Sequence, residues 1–272
     1  MLNTGLVGVQ VAPDGREVPI RLDSYANVVI QRNGPWYMEQ CRRGNCFVYS
    51  QPAAGVNQFA PTATSVITTG AFVTGQRYQI ANVGDTDFTL IGAASNTIGV
   101  EFVATGPGGG TTGTANLMSS TPMIWNRADS GVNFIPIRLT MGLIGAVAPV
   151  LGPFGLWAIP SPGDSSGVVT VPSADVGTPV NSLIGNSKKS NVVFSPQAQL
   201  LTTAPTFVKS LPWNILANDL TGKNMITLEY NFTGRAIVRP NNAVFIGPIA
   251  ADAFLAIISI EGMEIPIQSG GI

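Results

Sequence analysis

Residues 225–232, Met-Ile-Thr-Leu-Glu-Tyr-Asn-Phe, decide the fold class. In an extended chain Met225, Thr227, Glu229 and Asn231 fall on one side, and Ile226, Leu228, Tyr230 and Phe232 on the other. Successive strand side chains point to opposite faces, so this pattern describes a sheet with one wet and one buried face. Segments of related character recur at 28–31, 46–49, 72–73, 77–81, 133–140, 167–171, 192–195 and 236–239. They are short, rich in β-branched or aromatic residues, and bounded by Gly, Pro, Asn or Asp. The expectation is a mainly β chain, an antiparallel β-sandwich of jelly-roll type. Residues 250–261, AADAFLAIISIE, offer the best helix. Their second half reads equally well as a central strand running into EIPI, and periodicity does not choose.

Composition narrows the function. The 272 residues include 14 Lys and Arg and 15 Asp and Glu, only 11% charged, with 31 glycines and 20 prolines. No histidine is present, which removes Ser-His-Asp and Cys-His catalysis, His-ligated zinc and an imidazole base within this chain. A net charge of −1 gives no long-range attraction for nucleic acid. The N-terminal MLNTGLVGVQVAPDGREV lacks the basic start and apolar core of a secretory signal. A weakly charged, apolar, Gly- and Pro-rich chain is expected to cover part of its surface with a partner.

Between Arg138 and Asp164 lie 25 uncharged residues, LTMGLIGAVAPVLGPFGLWAIPSPG, long enough to span a bilayer. Gly142, Gly145, Gly152 and Gly155 weaken a helix there, and Pro149, Pro153 and Pro160 interrupt it, so short buried strands or a subunit contact are expected instead. Left exposed, such a stretch exceeds a monomer's usual largest apolar patch. Met141, Leu143, Ile144, Leu151, Phe154 and Trp157 are therefore the candidate oligomer interface. The two cysteines, Cys41 and Cys46, flank Arg-Arg-Gly-Asn, which looks like a hairpin with 36–41 pairing back on 46–49. Opposed cysteines could bridge, or stand as two reduced thiols beside a tight turn. Two thiols without further Cys or His make a poor metal site.

Residues 62–115 differ in texture from both flanks. SVITTGAFVTGQRYQIANVGDTDFTLIGAASNTIGVEFVATGPGGGTTGTA is dense in Thr, Gly and Ala, with strand signals at ITTGAF, QRYQIA, DFTLIG and VEFVATG. It enters through QPAAGVNQFAPTAT and leaves through GPGGGTTGTAN, both reading as flexible joints. The expected organisation is an N-terminal arm and hairpin over 1–61, belonging to the main domain. An inserted β module over 62–115 comes next, with its own apolar residues Phe72, Tyr78, Ile80, Phe88, Leu90, Val100 and Phe102, and then the main sandwich over 116–272.

Motifs for chemistry are sparse. Gly106–Gly110 lacks the Gly-Lys-Ser/Thr of a phosphate loop. Asp85 and Asp87 read as turn residues capping their own backbone, since two carboxylates are too few for calcium. Glu261 and Glu264 could be spaced as an acid–base pair, but nothing around them suits a sugar. Lys188-Lys189 and Arg42-Arg43 read as solvated turns, able to touch an acidic partner. Trp36, Trp125, Trp157 and Trp213 each stand near Pro or Gly, as plugs of a sandwich edge or anchors of an interface. No catalytic residue, cofactor or metal is expected.

The segment ITTGAFVTGQRYQIANVGDTDFTLIGAASNTIGVEFVATGPGGGTTGTAN resembles a small repeat common in structural proteins of tailed bacteriophages, notably marine and cyanobacterial ones. TGQRYQI, GDTDFTLIGAASNTIGVEFVATG and the Gly/Thr-rich exit carry the match. The flanks GPWYMEQCRRGNCFVYSQPAAGV, TPMIWNRADSGVNFIPIRLTMGLIGA and FTGRAIVRPNNAVFIGPIAADAFLAIISIEGMEIPI resemble a loosely defined set of phage β-proteins, although the closing motif here lacks its Trp. The resemblance implies a non-enzymatic virion subunit with a jelly-roll-like core, often trimeric, located on the phage particle. The preferred expectation is a capsid decoration or cement protein bound to the major capsid protein. The alternative is a tail or baseplate adhesin or fibre-attachment protein.

Overall fold

A computed structural model describes residues 6–11, 17–22, 28–29, 36–145, 153–160, 169–172, 176–214, 227–232, 236–249 and 254–267. Eight strands of four or more residues build two facing sheets. They are β1 (Cys46–Ser50), β2 (Met123–Asn126), β3 (Val132–Gly145), β4 (Pro153–Pro160), β5 (Thr206–Asn214), β6 (Thr227–Asn231), β7 (Asn242–Pro248) and β8 (Phe254–Pro266). The first sheet runs β1-β8-β3-β6 and the second β2-β7-β4-β5, antiparallel throughout. Short strands extend the edges: Val180–Asn181 on β1 and Val193–Ser195 on β2, while Val56–Gln58 pairs with β8. Leu6–Val11, Glu17–Leu22 and Val28–Val29 form a separate three-stranded sheet. The chain is a β-sandwich.

Alternation produces the core, as the 225–232 pattern requires. Glu229 and Asn231 of β6 are exposed, Leu228 and Tyr230 are half-buried against the core, and Phe232 is buried. Between the sheets Phe47, Tyr49, Phe134, Leu139, Met141, Ala256, Ile258 and Ile260 meet Ile124, Phe154, Leu156, Phe194, Leu211 and Ile246. A bulge between Pro136 and Arg138 shifts the parity of β3, so Phe134 and Leu139 both face inward although they stand an odd number of positions apart in the chain. The ambiguous 250–261 segment resolves as β8 from Phe254 onward. Its second half is the central strand of the first sheet, buried between β1 and β3, and that packing overrides the helical signal.

The cysteine segment is not a hairpin. Trp36–Arg42 is a helix, α1, and Arg43-Gly44-Asn45 is its cap. The Gly44 N–H donates to Cys41 O and the Asn45 N–H to Gln40 O, both at 2.9 Å, the paired bonds of a Schellman motif. Gly44 takes φ +69°, and a Cβ there would lie 2.5 Å from the Asn186 side chain, so glycine is required. Arg-Gly-Asn is thus a helix stop that imitates a hairpin turn.

Residues 66–117 form a second unit within the β1–β2 connection. Its four-stranded sheet orders Val66–Thr68, Thr114–Leu117, Arg77–Asn82 and Glu101–Val103, the second of these running past residue 115. Phe72, Tyr78, Ile80, Phe88 and Phe102 fill its own core, with Val100 packed against it. Two details differ from expectation. DFTLIG holds a 3₁₀ turn, Phe88–Ile91, which leaves Leu90 79% exposed, and Phe72–Val73 is not a strand although Phe72 is buried. Nor are the joints loose. Gln51, Val56, Gln58 and Phe59 are buried on the way in, and Met118, Ser119, Ser120 and Thr121 on the way out. Gln76 Nε2 donates to Met118 O at 2.7 Å, Gln51 Nε2 to Pro196 O at 2.6 Å, and Gln199 Nε2 to Thr121 O at 2.9 Å. A seam of buried amides ties the unit to the sandwich, and low sequence complexity gave no sign of it.

Candidate functional site

The 139–160 stretch contributes to two core strands. Met141 and Phe154 are fully buried within the chain's own sandwich, so neither is available for a subunit contact in this fold. The uncharged run reflects strands facing an interior, an alternative that composition alone does not separate from an interface. The side chains of Leu143, Ile144 and Leu151 lie outside the described residues. Trp157 is half-buried on the outer face of the second sheet, edge-on to Phe207 at 5.2 Å. Trp125 shares that face, where Met123, Phe245, Ile159, Ala243 and Leu201 form a second apolar layer. The side chains of Trp36 and Trp213 are likewise outside the described residues. Among the described residues no helix is long and apolar enough to cross a membrane.

A recess opens between the edges of the two sheets. It has a volume of about 710 Å³ and is lined by the β2–β3 turn at Arg127–Ser130 and by residues 176–181 and 186–194. That volume lies in the range of ligand-binding clefts, roughly 300–1,000 Å³. Asn126 fixes the turn, its Nδ2 donating to Val132 O and Val238 O at 2.8 Å each. Arg127 pairs with Asp129 at 3.2 Å and lies over the Trp125 ring. Lys188 Nζ donates to Asn45 Oδ1, and Lys189 is exposed. Of the two basic pairs, the 188–189 pair therefore lines a cleft, with Lys188 tied back to the end of α1.

Behind the cleft stands a buried carboxylate. Glu264, 1% exposed, accepts from Tyr49 Oη at 2.9 Å, Ser190 Oγ at 2.5 Å and the Asn191 N–H at 2.9 Å. Burial, and then the Glu264 charge, push the Tyr49 phenol well above its ordinary range. Glu261, three residues earlier, faces the other side of the sheet and pairs with Arg138. The two glutamates are thus separated by the sheet and form no acid–base pair. Glu264 instead clamps residues 190–191 to the sandwich and shapes the cleft wall. Hydroxyls, amides and two lysines bordering a recess equip it for binding.

Asp85 and Asp87 cap turns, as their spacing suggests. Asp85 accepts from the N–H and Oγ1 of both Thr111 and Thr112 at 2.8–3.0 Å, closing the glycine-rich exit loop. Asp87 accepts from Thr89 and from Asn96 Nδ2. The Thr111 and Thr112 donors hold the Asp85 carboxyl far below its usual range, and the Thr89 and Asn96 bonds lower that of Asp87. A depressed carboxyl contributes stability that is present above the ordinary range, about pH 4, and lost only as pH falls through the folded value. The Thr111 and Thr112 amides are therefore expected to stay protected from hydrogen exchange at about pH 3. Asp85→Ala should release them at every pH, and fast exchange in the unsubstituted chain would refute the clamp. Among the described residues no group of three or more His, Cys, Asp or Glu is placed to hold a metal.

Comparison of the chain with family models, with curated proteins and with solved structures found no match.

Proposed function

We propose that this chain is a structural subunit of a bacteriophage particle, a jelly-roll protein that assembles with copies of itself and with other virion proteins. The strand order is the observation that carries the reading. Numbered along the chain, the sheets run 1-8-3-6 and 2-7-4-5. That is the order of an eight-stranded, double Greek-key jelly roll, an architecture of viral capsid and lectin domains. The low charge and the likeness of residues 62–115 to a repeat of phage structural proteins point the same way.

Within that reading the seat is the capsid shell, where a trimer acts as a decoration or cement protein on the major capsid protein. Strand β5 supports self-assembly: it is an edge strand, and Phe207 and Val208 on it are 43% and 52% exposed. Light scattering is expected to give a mass near three chains, with Phe207→Glu reducing it to one. A stable monomer at micromolar concentration would sink the assembly claim. The second reading, a tail or baseplate adhesin, is favoured by the cleft at residues 176–194. Cosedimentation separates the two, with binding to empty capsids expected and binding to isolated tails alone reversing the assignment.

A further inference from the structure

Helix α1 packs against β8 at the end of the first sheet. Phe47 and Tyr49 of β1 point into the core, so Cys46 faces the opposite side, next to its cross-strand partner Met263, and both are buried. The Schellman cap turns the chain back so tightly that Cys41, in the last turn of α1, meets Cys46 at the start of β1. Both stand as thiols, and Cys41 is the side chain that bears most directly on the Cys46 thiol. Exposure divides them. Cys41 is partly open to solvent, Cys46 is completely covered, and Arg42 and Arg43 between them are exposed.

We propose that Cys41 and Cys46 are a disulfide-forming pair, a covalent modification site that closes when the folded protein meets a low-molecular-weight disulfide such as glutathione disulfide. The Cys41 thiolate, the one solvent reaches, attacks a sulfur of the reagent. The reagent's S–S bond breaks, one glutathione thiolate leaves with the electron pair, and a mixed disulfide stays on Cys41. Cys46 then loses its proton to solvent and attacks the Cys41 sulfur, expelling the second glutathione. Two protein thiols are oxidised to one disulfide, and the reagent is reduced to two thiols. Burial, then the Cys41 neighbour, push the Cys46 thiol upward, so the second step is the slower one and quickens with rising pH. The closed bond staples the end of α1 to β1.

The position of the arginines makes the test direct. The full chain is incubated natively with glutathione disulfide at mildly alkaline pH, acid-quenched, alkylated in denaturant without reductant and digested with trypsin. Cleavage falls between the cysteines, so the expected product is peptide 33–42 joined to peptide 44–77, separating only on reduction, with neither cysteine alkylated. Two alkylated cysteines, a lasting glutathione adduct, or a bridge between two chains would each overturn the proposal. Cys46→Ser should trap one glutathione on Cys41, and its failure to do so would overturn the assignment of Cys41 as the entry point. Cys41→Ser should leave Cys46 unmodified in the folded chain, and native modification of Cys46 would count against that order of attack.

Discussion

Glu264→Ala is expected to lower the stability of the folded chain by about 2 kcal/mol, because it removes the shared acceptor of three donors rather than a single contact. Tyr49 Oη, Ser190 Oγ and the Asn191 N–H all converge on this carboxylate, which is itself 1% exposed. Ser190 retains an alternative acceptor in Val192 O at 3.1 Å and Tyr49 Oη retains Ser190 Oγ at 3.2 Å, so the loss falls chiefly on the Asn191 amide and on the weakened Tyr49 bond. Tyr49→Phe removes one donor and leaves the acceptor with two others, so it should cost about 1 kcal/mol. Urea titrations with an unchanged slope measure both. A Glu264→Ala effect below about 0.5 kcal/mol would place the carboxylate among ordinary surface groups and remove its role in holding the cleft wall.

The second large effect is a coupling. Phe134 stands opposite Glu264 on the neighbouring strand, and its ring lies over Gly262 two residues away on the same face. A Cβ at Gly262 would fall 2.3 Å from that ring, so Gly262→Ala should cost about 2–3 kcal/mol through overpacking. Phe134→Ala should cost about 4 kcal/mol, since the ring is fully buried and edge-on to Tyr49 at 5.3 Å. Together they should cost less than the sum by about 1–2 kcal/mol, because the alanine methyl then occupies space the ring has left. Strict additivity in the four-protein cycle would show that the ring does not cover the glycine.

Much of this architecture is legible in residue order, and the exceptions share a cause. The alternation of 225–232 and the β-branched runs at 46–49, 77–81, 133–140 and 192–195 locate strands because side-chain period is a local property. The unit around residues 66–117 is equally visible, since Tyr78, Ile80, Phe88 and Phe102 are apolar at strand or turn positions within a polar, glycine-rich text. The features that stayed hidden depend on distant partners. Arg-Gly-Asn at 43–45 can terminate a helix or turn a hairpin, and the first holds where α1 packs against the distant strand β8. Met141 and Phe154 look like interface residues until a second sheet supplies the surface that buries them. The amide seam of Gln51, Gln58, Gln76 and Gln199 joins positions up to 145 residues apart, and glutamine carries no local signal of burial. The cleft between sheet edges was missed for the same reason. Its one hint was the Lys188-Lys189 pair, which reads as solvent-facing until residues 176–181 face it.

The place of β8 bears on how the chain is made. The strand that leaves the ribosome after the other seven is the one on which β1 and β3 must both pair, and it also receives the 56–58 strand. Until residues 254–266 emerge, the first sheet has a gap at its centre, with the edges of β1 and β3 open to any extended neighbour. The unit at 66–117 is under no such wait, because its sheet closes on segments within about 50 residues of one another. Synthesis therefore yields a finished small unit early, tethered to an unfinished sandwich. The yield of correctly folded protein then depends on how quickly translation completes the final strand relative to chance pairing of the open edges.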